Sequence, residues 1–327
     1  MSEIVQTNAS RATRFRIAAA FLAIYLIWGT TFLAIRIAVE TIPAFMMAGL
    51  RFFFAGGVMF VILLAQGERF PSLRQWRSAV IVGGLMLVGG IGLLSFAEQH
   101  IPSGLAALVV ATIPIWITLF EWLIFGGKRP SLQIFTGLGF GFAGVILLFV
   151  PALDTDTKEG SDNLLGLATV LLGAVIFSLG SLYSRRAPLP EDTRMATASE
   201  MLMGGVLLLL VSLLTGEAAR LDVSSISLRS SLALIYLTLF GSIIGYTAYL
   251  WLLKTVEPAK VSTNFYVNPV VAVLVGWLVA EETVTPSMVM ATIVILLGVA
   301  VINIKLPAIN LHRRGMFRFK RVYPSTK

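Results

Sequence analysis

The sequence predicts an all-α polytopic membrane protein, with ten transmembrane helices arranged as two inverted five-helix repeats around a central cavity. Three observations carry this expectation. Ten apolar stretches, most near 20 residues, are strung on short loops, and a helix rising about 1.5 Å per residue needs roughly 20 apolar residues to cross a hydrocarbon core of about 30 Å. The stretches are continuous and not alternating, which selects helices over a closed barrel. Lysine and arginine fall almost entirely into every second loop, and a proline-bearing pattern recurs in the two halves.

In chain order the spans are expected at 17–37, 45–65, 78–97, 103–125, 132–150, 164–183, 196–215, 230–252, 259–280 and 287–304. The first is too long for a signal-peptide core and runs into Arg36, so it reads as retained. Pro43, Pro71, Pro102, Pro130 and Pro286 stand where helices start or loops turn, positions that tolerate a missing N–H. Apart from Arg36, Arg51, Lys158, Arg220 and Arg229, every basic residue lies in the N-terminal segment, in or at the edge of the even-numbered loops, as Lys260 does at the start of the ninth span, or in the tail. The positive-inside rule therefore places both termini in the cytoplasm, N-in and C-in. The expected organisation is a cytoplasmic segment 1–16, a first repeat 17–150, an acidic external linker 151–163, a second repeat 164–304 and a basic cytoplasmic tail 305–327. No loop is long enough to fold alone.

Composition excludes several classes. A chain 57% hydrophobic and 13% charged, with mean hydropathy +0.87, is not an ordinary soluble domain. The net charge of +8 is spread over loops and tail, so anionic lipid headgroups are the expected partner and nucleic acid is not. Without cysteine there is no disulfide or thiolate chemistry. The two histidines, His100 and His312, lack metal-ligand spacing, and Gly126-Gly-Lys-Arg129 lacks the upstream glycine and following Ser or Thr of a phosphate loop. No enzyme, cofactor or metal is expected.

The halves share a pattern. Ile101-Pro-Ser-Gly-Leu-Ala-Ala-Leu-Val-Val-Ala-Thr-Ile-Pro114 in the first corresponds to Glu257-Pro-Ala-Lys-Val-Ser-Thr-Asn-Phe-Tyr-Val-Asn-Pro269 in the second, each followed by a span, a turn and a closing span. A duplication of five spans explains this. Five is odd, so the second copy enters the membrane from the opposite side, as in secondary transporters built from inverted repeats.

Trp28-Gly-Thr-Thr31, Ala48-Gly-Leu-Arg-Phe-Phe53 and the Pro102–Pro114 stretch resemble the EamA repeat of the drug/metabolite transporter superfamily. Tyr266-Val-Asn-Pro-Val-Val-Ala272 and Glu281-Glu-Thr283 carry the resemblance into the second copy. Ala198-Ser-Glu-Met-Leu202 and Phe240-Gly-Ser-Ile-Ile244 add similarity to the YedA-like bacterial inner-membrane exporters, a branch of that superfamily. The resemblance spans roughly residues 15 to 305 and implies a central cavity through which amino acids, other metabolites or toxic compounds are exported across a bacterial inner membrane. One departure is the turn after the fourth span of each repeat: it is acidic at Glu281-Glu282 but reads Gly127-Lys128-Arg129 in the first.

Candidate site residues are those expensive at membrane depth. Asn264 and Asn268 lie one helical turn apart and share a face, and Pro269 leaves the Phe265 carbonyl without its usual donor. They line a substrate pathway or hydrogen-bond between helices. Thr112 and Trp116 flank Pro114 in the matching helix, where the alternative is a threonine bonded to its own backbone. Trp28, with Thr31 in the same motif, sits near mid-membrane, outside the interfacial belt, as an aromatic wall or as packing. Tyr246 and Tyr266 are similar cases, while Tyr249, three residues from the expected helix end, reads as a belt residue. Glu200 is the candidate proton or counter-charge site, the alternative being an ion pair with Arg194. Arg51 reads as structural, snorkelling or capping carbonyls, and Glu121 as interfacial or paired with Lys128 and Arg129. The glycine cluster Gly137-Leu-Gly-Phe-Gly141 reads as close packing.

The leading expectation is a secondary exporter of small organic solutes working by alternating access, with protons as the default coupling ion. A membrane scaffold or a ligand or lipid sensor is the alternative. An intramembrane enzyme would need paired catalytic groups at one depth, which the sequence does not offer.

Overall fold

The computed structural model describes residues 11–127, 129–149, 158–256, 261 and 264–303. The N-terminal residues 1–10, Lys128, most of the expected acidic linker and the basic tail lie outside them. The described residues form helices and no strand, labelled here α1 (Arg11–Ala38), α2 (Ala44–Ala65), α3 (Leu73–Ala97), α4 (Ser103–Leu123), α5 (Leu132–Phe149), α6 (Lys158–Ser184), α7 (Thr193–Leu214), α8 (Leu228–Thr255), α9 (Asn264–Ala280) and α10 (Pro286–Asn303). Among the described residues seven helices are long and apolar enough to cross a membrane, namely α1–α4 and α6–α8. Shorter apolar helices lie within α5, α9 and α10.

Several helices outrun the apolar stretches. α1 begins at Arg11, α3 at Leu73 and α6 at Lys158, because an α-helix satisfies its own backbone in headgroups and water as well as in lipid. Local chemistry sets the starts. Ser72 accepts from the Gln75 backbone N–H while the Gln75 side chain accepts from the Ser72 N–H at 2.7 Å, a capping box. Asp192 accepts from the Arg194 and Met195 N–H groups at 2.6 and 3.2 Å, and Ser227 from Ser230 at 3.0 Å.

The Asp192 cap yields a pH prediction. The Arg194 guanidinium beside it holds its carboxyl below the usual aspartate range. A depressed pKa stabilises the fold above the ordinary aspartate value, and that contribution is lost as pH falls through the depressed one. Asp192→Ala is expected to cost about 1 kcal/mol at neutral pH, with the gap from wild type closing as the medium is acidified. Melting curves of the two proteins across pH check this.

Packing follows residue size. Phe54, Val58, Val61 and Ile62 on α2, Leu232, Ile235 and Leu239 on α8, and Leu274, Trp277 and Leu278 on α9 are exposed, which suits faces turned to acyl chains. Small residues face inward. A Cβ on Gly56 of α2 would run into the Leu202 backbone N, and one on Gly205 of α7 into that of Phe53. α5 and α10 cross the same way, with a Cβ on Gly298 only 2.6 Å from the Gly137 carbonyl oxygen. Buried hydroxyls bond to their own helices, as Ser95 does to Ile91 O at 2.8 Å and Ser178 to Ala174 O at 2.7 Å, so they cost little in an apolar interior.

The contacts come in matched sets. α2 packs on α7 and α5 on α10. α1 packs on α9 as α6 packs on α4, α1 on α8 as α6 on α3, and α2 on α8 as α7 on α3. Corresponding helices also share an irregularity, since both α3 and α8 widen into a π-helix, at Gly84–Gly92 and Leu237–Tyr246. Such widening recurs at functional sites.

Candidate functional site

A central cavity of about 70 Å³ lies between helices of both halves. α1 contributes Trp28, Thr31, Phe32 and Ile35, α3 the π-helical Gly90 and Ile91 with Leu94, and α6 Val170, Gly173, Ala174 and Phe177. Arg51 of α2, Val110 and Ile113 of α4, and Phe265 and Asn268 of α9 complete the wall. Val110 and Phe265 each stand four residues before a proline, Pro114 and Pro269, so in both halves a carbonyl stripped of its helical donor belongs to a residue of this wall. α4 is interrupted by a turn at Ala111–Thr112 before resuming at Ile113. A second space of about 250 Å³ lies farther along α1, bounded by Leu33, Arg36, Glu40, Arg229 and Glu282. A third, about 20 Å³, holds Glu200 with Arg185, Thr193 and Lys254 beside two basic loops.

Trp28, Thr31 and Asn268 meet at the central cavity. The Trp28 indole donates to the Gly241 carbonyl at 3.2 Å and packs on Tyr249 with ring centroids 4.9 Å apart. The Thr31 hydroxyl donates to the Trp28 carbonyl at 2.7 Å. Oriented with its nitrogen toward acceptors, the Asn268 amide donates to the Asn264 carbonyl at 3.1 Å and to those of Ile24 and Tyr25 at 3.3 Å, tying α9 to α1.

Other candidates lie apart from this cavity. The Thr112 hydroxyl donates to the Val109 carbonyl at 2.7 Å and accepts from the Trp116 indole at 3.2 Å, while Trp116 packs on Phe120 and Phe142. Asn264 is fully buried, and neither side-chain atom has a partner among the described residues. The Tyr266 side chain lies outside them. Tyr246 and Glu200 form a buried pair, the phenol donating to the Glu200 carboxylate at 3.0 Å, with Tyr246 set edge-on to Phe52.

Several pairings differ from those the sequence suggests. Tyr249 is 1% exposed, bonded to the Ser181 hydroxyl at 2.9 Å. It is no belt residue, because its face of α8 turns into the core, where its ring packs on Trp28, Phe177 and Phe265. Arg194 pairs with Asp192 at 2.9 Å and Glu68 at 3.4 Å, not with Glu200. Glu121 pairs with Arg186 at 3.1 Å across from the loop after α6. Arg51 does not snorkel. It is 3% exposed, its Nε donates to the Ser242 hydroxyl at 2.6 Å, and its guanidinium lies 4.7 Å from the Phe52 ring centre. A charge at a helix centre costs about 2.5 to 3.5 kcal/mol on insertion scales, and no carboxylate within ion-pair distance offsets that among the described residues.

Two carboxylates escaped sequence reasoning. Glu282 accepts from the Ser103 N–H and hydroxyl and the Gly104 N–H at 2.9, 2.8 and 3.1 Å, capping α4 from the other half. An N-terminal carboxylate is favoured by the helix dipole, but nothing in the spacing of residues 103 and 282 announces the pairing. Glu98, just past α3, is fully buried with neither carboxylate oxygen partnered among the described residues, while Arg36 donates to its backbone carbonyl. A charge just beyond an apolar stretch reads as interfacial, so its burial has no sequence signal.

Comparison with known proteins agrees with this architecture. The EamA-like transporter family model matches residues 15–150 and again 164–304. The chain is 40% identical over 286 residues to the uncharacterized inner membrane transporter YedA of Escherichia coli K12, covering 87% of this chain and 90% of that one. It is 25% identical over 280 residues to the uncharacterized transporter YoaV of Bacillus subtilis, covering 85% and 93%. A solved crystal structure at 24% identity superposes with TM-score 0.62 over 88% of this chain and 97% of that chain, a likeness of fold. With two copies of the family model across most of its length, and a relative this similar over nearly all of both chains, this integral membrane protein belongs to the EamA-like transporter family.

Proposed function

We propose that the protein is a secondary exporter of small organic solutes, amino acids, related metabolites or drugs, working by alternating access. In this reading ten helices cross a bacterial inner membrane as two inverted repeats, 17–150 and 164–304, with both termini cytoplasmic and basic loops resting on anionic headgroups. The carrying observation is the central cavity, walled by helices of both halves, among them α4, broken at Ala111–Thr112 just before Pro114, and α9, which runs unbroken through Pro269. A proline in a helix leaves a carbonyl without its donor, and a freed carbonyl of this kind can serve a solute. The matched contacts and the paired π-helices support the repeat, since a duplicated fold meets itself through equivalent faces. We assign the coupling proton to Glu200, a buried carboxyl beside a pocket that borders the basic loops.

The test is reconstitution in liposomes with a labelled amino-acid and metabolite panel, with and without an imposed pH gradient, beside Asn268→Ala and Asn264→Ala. Uptake of one solute class is expected. Asn268→Ala is expected to lower it about tenfold, the size of effect that follows losing one buried hydrogen-bond anchor. Absence of transport across the panel by folded protein favours a scaffold or sensor.

A further inference from the structure

We infer that Arg51 is the anchor for a carboxylate on the transported solute, an assignment that rests on the carrier reading above. Arg51 is the sole charged residue in the cavity wall among the described residues. Its neighbours hold the guanidinium without neutralising it. The Nε–H donates to the Ser242 hydroxyl, the Phe52 ring lies against one face, and Nη1 and Nη2 have no acceptor among the described residues. Room for Nη2 depends on Gly241, where a Cβ would stand 2.6 Å away. The carboxylate whose field reaches it, Glu98, makes no hydrogen bond to it and is not part of the cavity wall.

An arginine keeps its charge at any ordinary pH, so a guanidinium held dry beside a cavity is an incomplete ion pair. Two free N–H edges match the two oxygens of a carboxylate. One positive charge balances a monoanion, whereas a phosphate dianion would leave a charge uncompensated in the same apolar enclosure. A cationic solute would meet repulsion, with no acidic side chain among the described residues of the wall to offset it. Beside the polar groups of Trp28, Thr31 and Asn268, the wall is apolar, with Phe32, Phe177 and Phe265 prominent in it. The group recognised is therefore a carboxylate on an apolar body.

The experiment uses full-length protein in liposomes with labelled isovalerate and L-valine, their amides isovaleramide and valinamide, and isobutylamine. Wild type is expected to move the carboxylates and to prefer them over the amides by roughly tenfold to 100-fold, the range for losing a charge-assisted hydrogen bond. Arg51→Gln is expected to abolish that preference, and Arg51→Lys to keep part of it, with both variants checked for monodispersity. Ser242→Ala removes one restraint on the guanidinium without touching its charge, and is expected to weaken carboxylate uptake only severalfold. Should Arg51→Gln prove unstable, that variant still reads the site. Carboxylate uptake unchanged in Arg51→Gln, or amides or isobutylamine moved as well as carboxylates by wild type, overturns the inference and leaves the carrier reading standing. Movement of none of these or of the broader panel by folded wild type overturns both.

Discussion

Gly205→Val is expected to leave little folded protein in the membrane. The two helices that cross at this point, α2 and α7, meet backbone to backbone, and a Cβ on Gly205 would run into the N and Cα of Phe53. Overpacking against movable side chains costs about 1 to 3 kcal/mol. Here the obstacle is main chain, so the helices must separate, and the cost should exceed about 3 kcal/mol. Separation also strips the packing that holds helices together in lipid, where no hydrophobic force between helices replaces it. Gly57→Ala is the control, since a Cβ there meets only the end of Leu202 at 3.9 Å. Size-exclusion profiles and melting curves in mild detergent check both. A Gly205→Val protein as stable as Gly57→Ala would mean that the helices do not cross there.

Glu200→Gln is expected to abolish the part of transport that depends on the pH gradient while sparing exchange of labelled for unlabelled solute. Gln keeps an oxygen to accept from the Tyr246 hydroxyl, which lies 3.0 Å from the carboxylate, so the fold should survive. It cannot take up and release a proton. Glu200 is 1% exposed, and its small pocket also holds Arg185 and Lys254, so a proton entering from the basic loops has a short way to go. Proteoliposome uptake and counterflow, run in parallel on wild type and variant, separate the two components. Gradient-driven uptake retained in full by Glu200→Gln would move the coupling site elsewhere, with the buried Glu98 next to be replaced.

The candidate residues divide by what kind of information locates them. Trp28, Thr31, Asn264 and Asn268 stand out in the sequence because polar or interfacial residue types inside an apolar stretch are costly. Cost marks a residue without saying what it faces. Trp28 and Asn268 reach the cavity, whereas Asn264, one turn from Asn268, is buried with an amide that has no partner among the described residues. Thr112 closes on its own helix, as its chemistry allows. Arg51 reads in the sequence as a residue able to snorkel, and only the arrival of Ser242 and Gly241 from α8 shows it held inside.

Sequence alone determined the family, the helical architecture and the approximate places of the seven helices long and apolar enough to cross a membrane among the described residues. The reason is that hydrocarbon demands long apolar segments with internally satisfied backbones, a requirement written locally in each stretch. Charge in the loops and the recurrent prolines are also local records. What the tertiary structure decided was which helix faces meet: the glycine crossings of α2 with α7, the Glu282 cap on α4 and the pairing of Glu121 with Arg186. These contacts join residues far apart in the chain through shape and a few polar groups. Shape complementarity between distant helices leaves no periodic trace in either one.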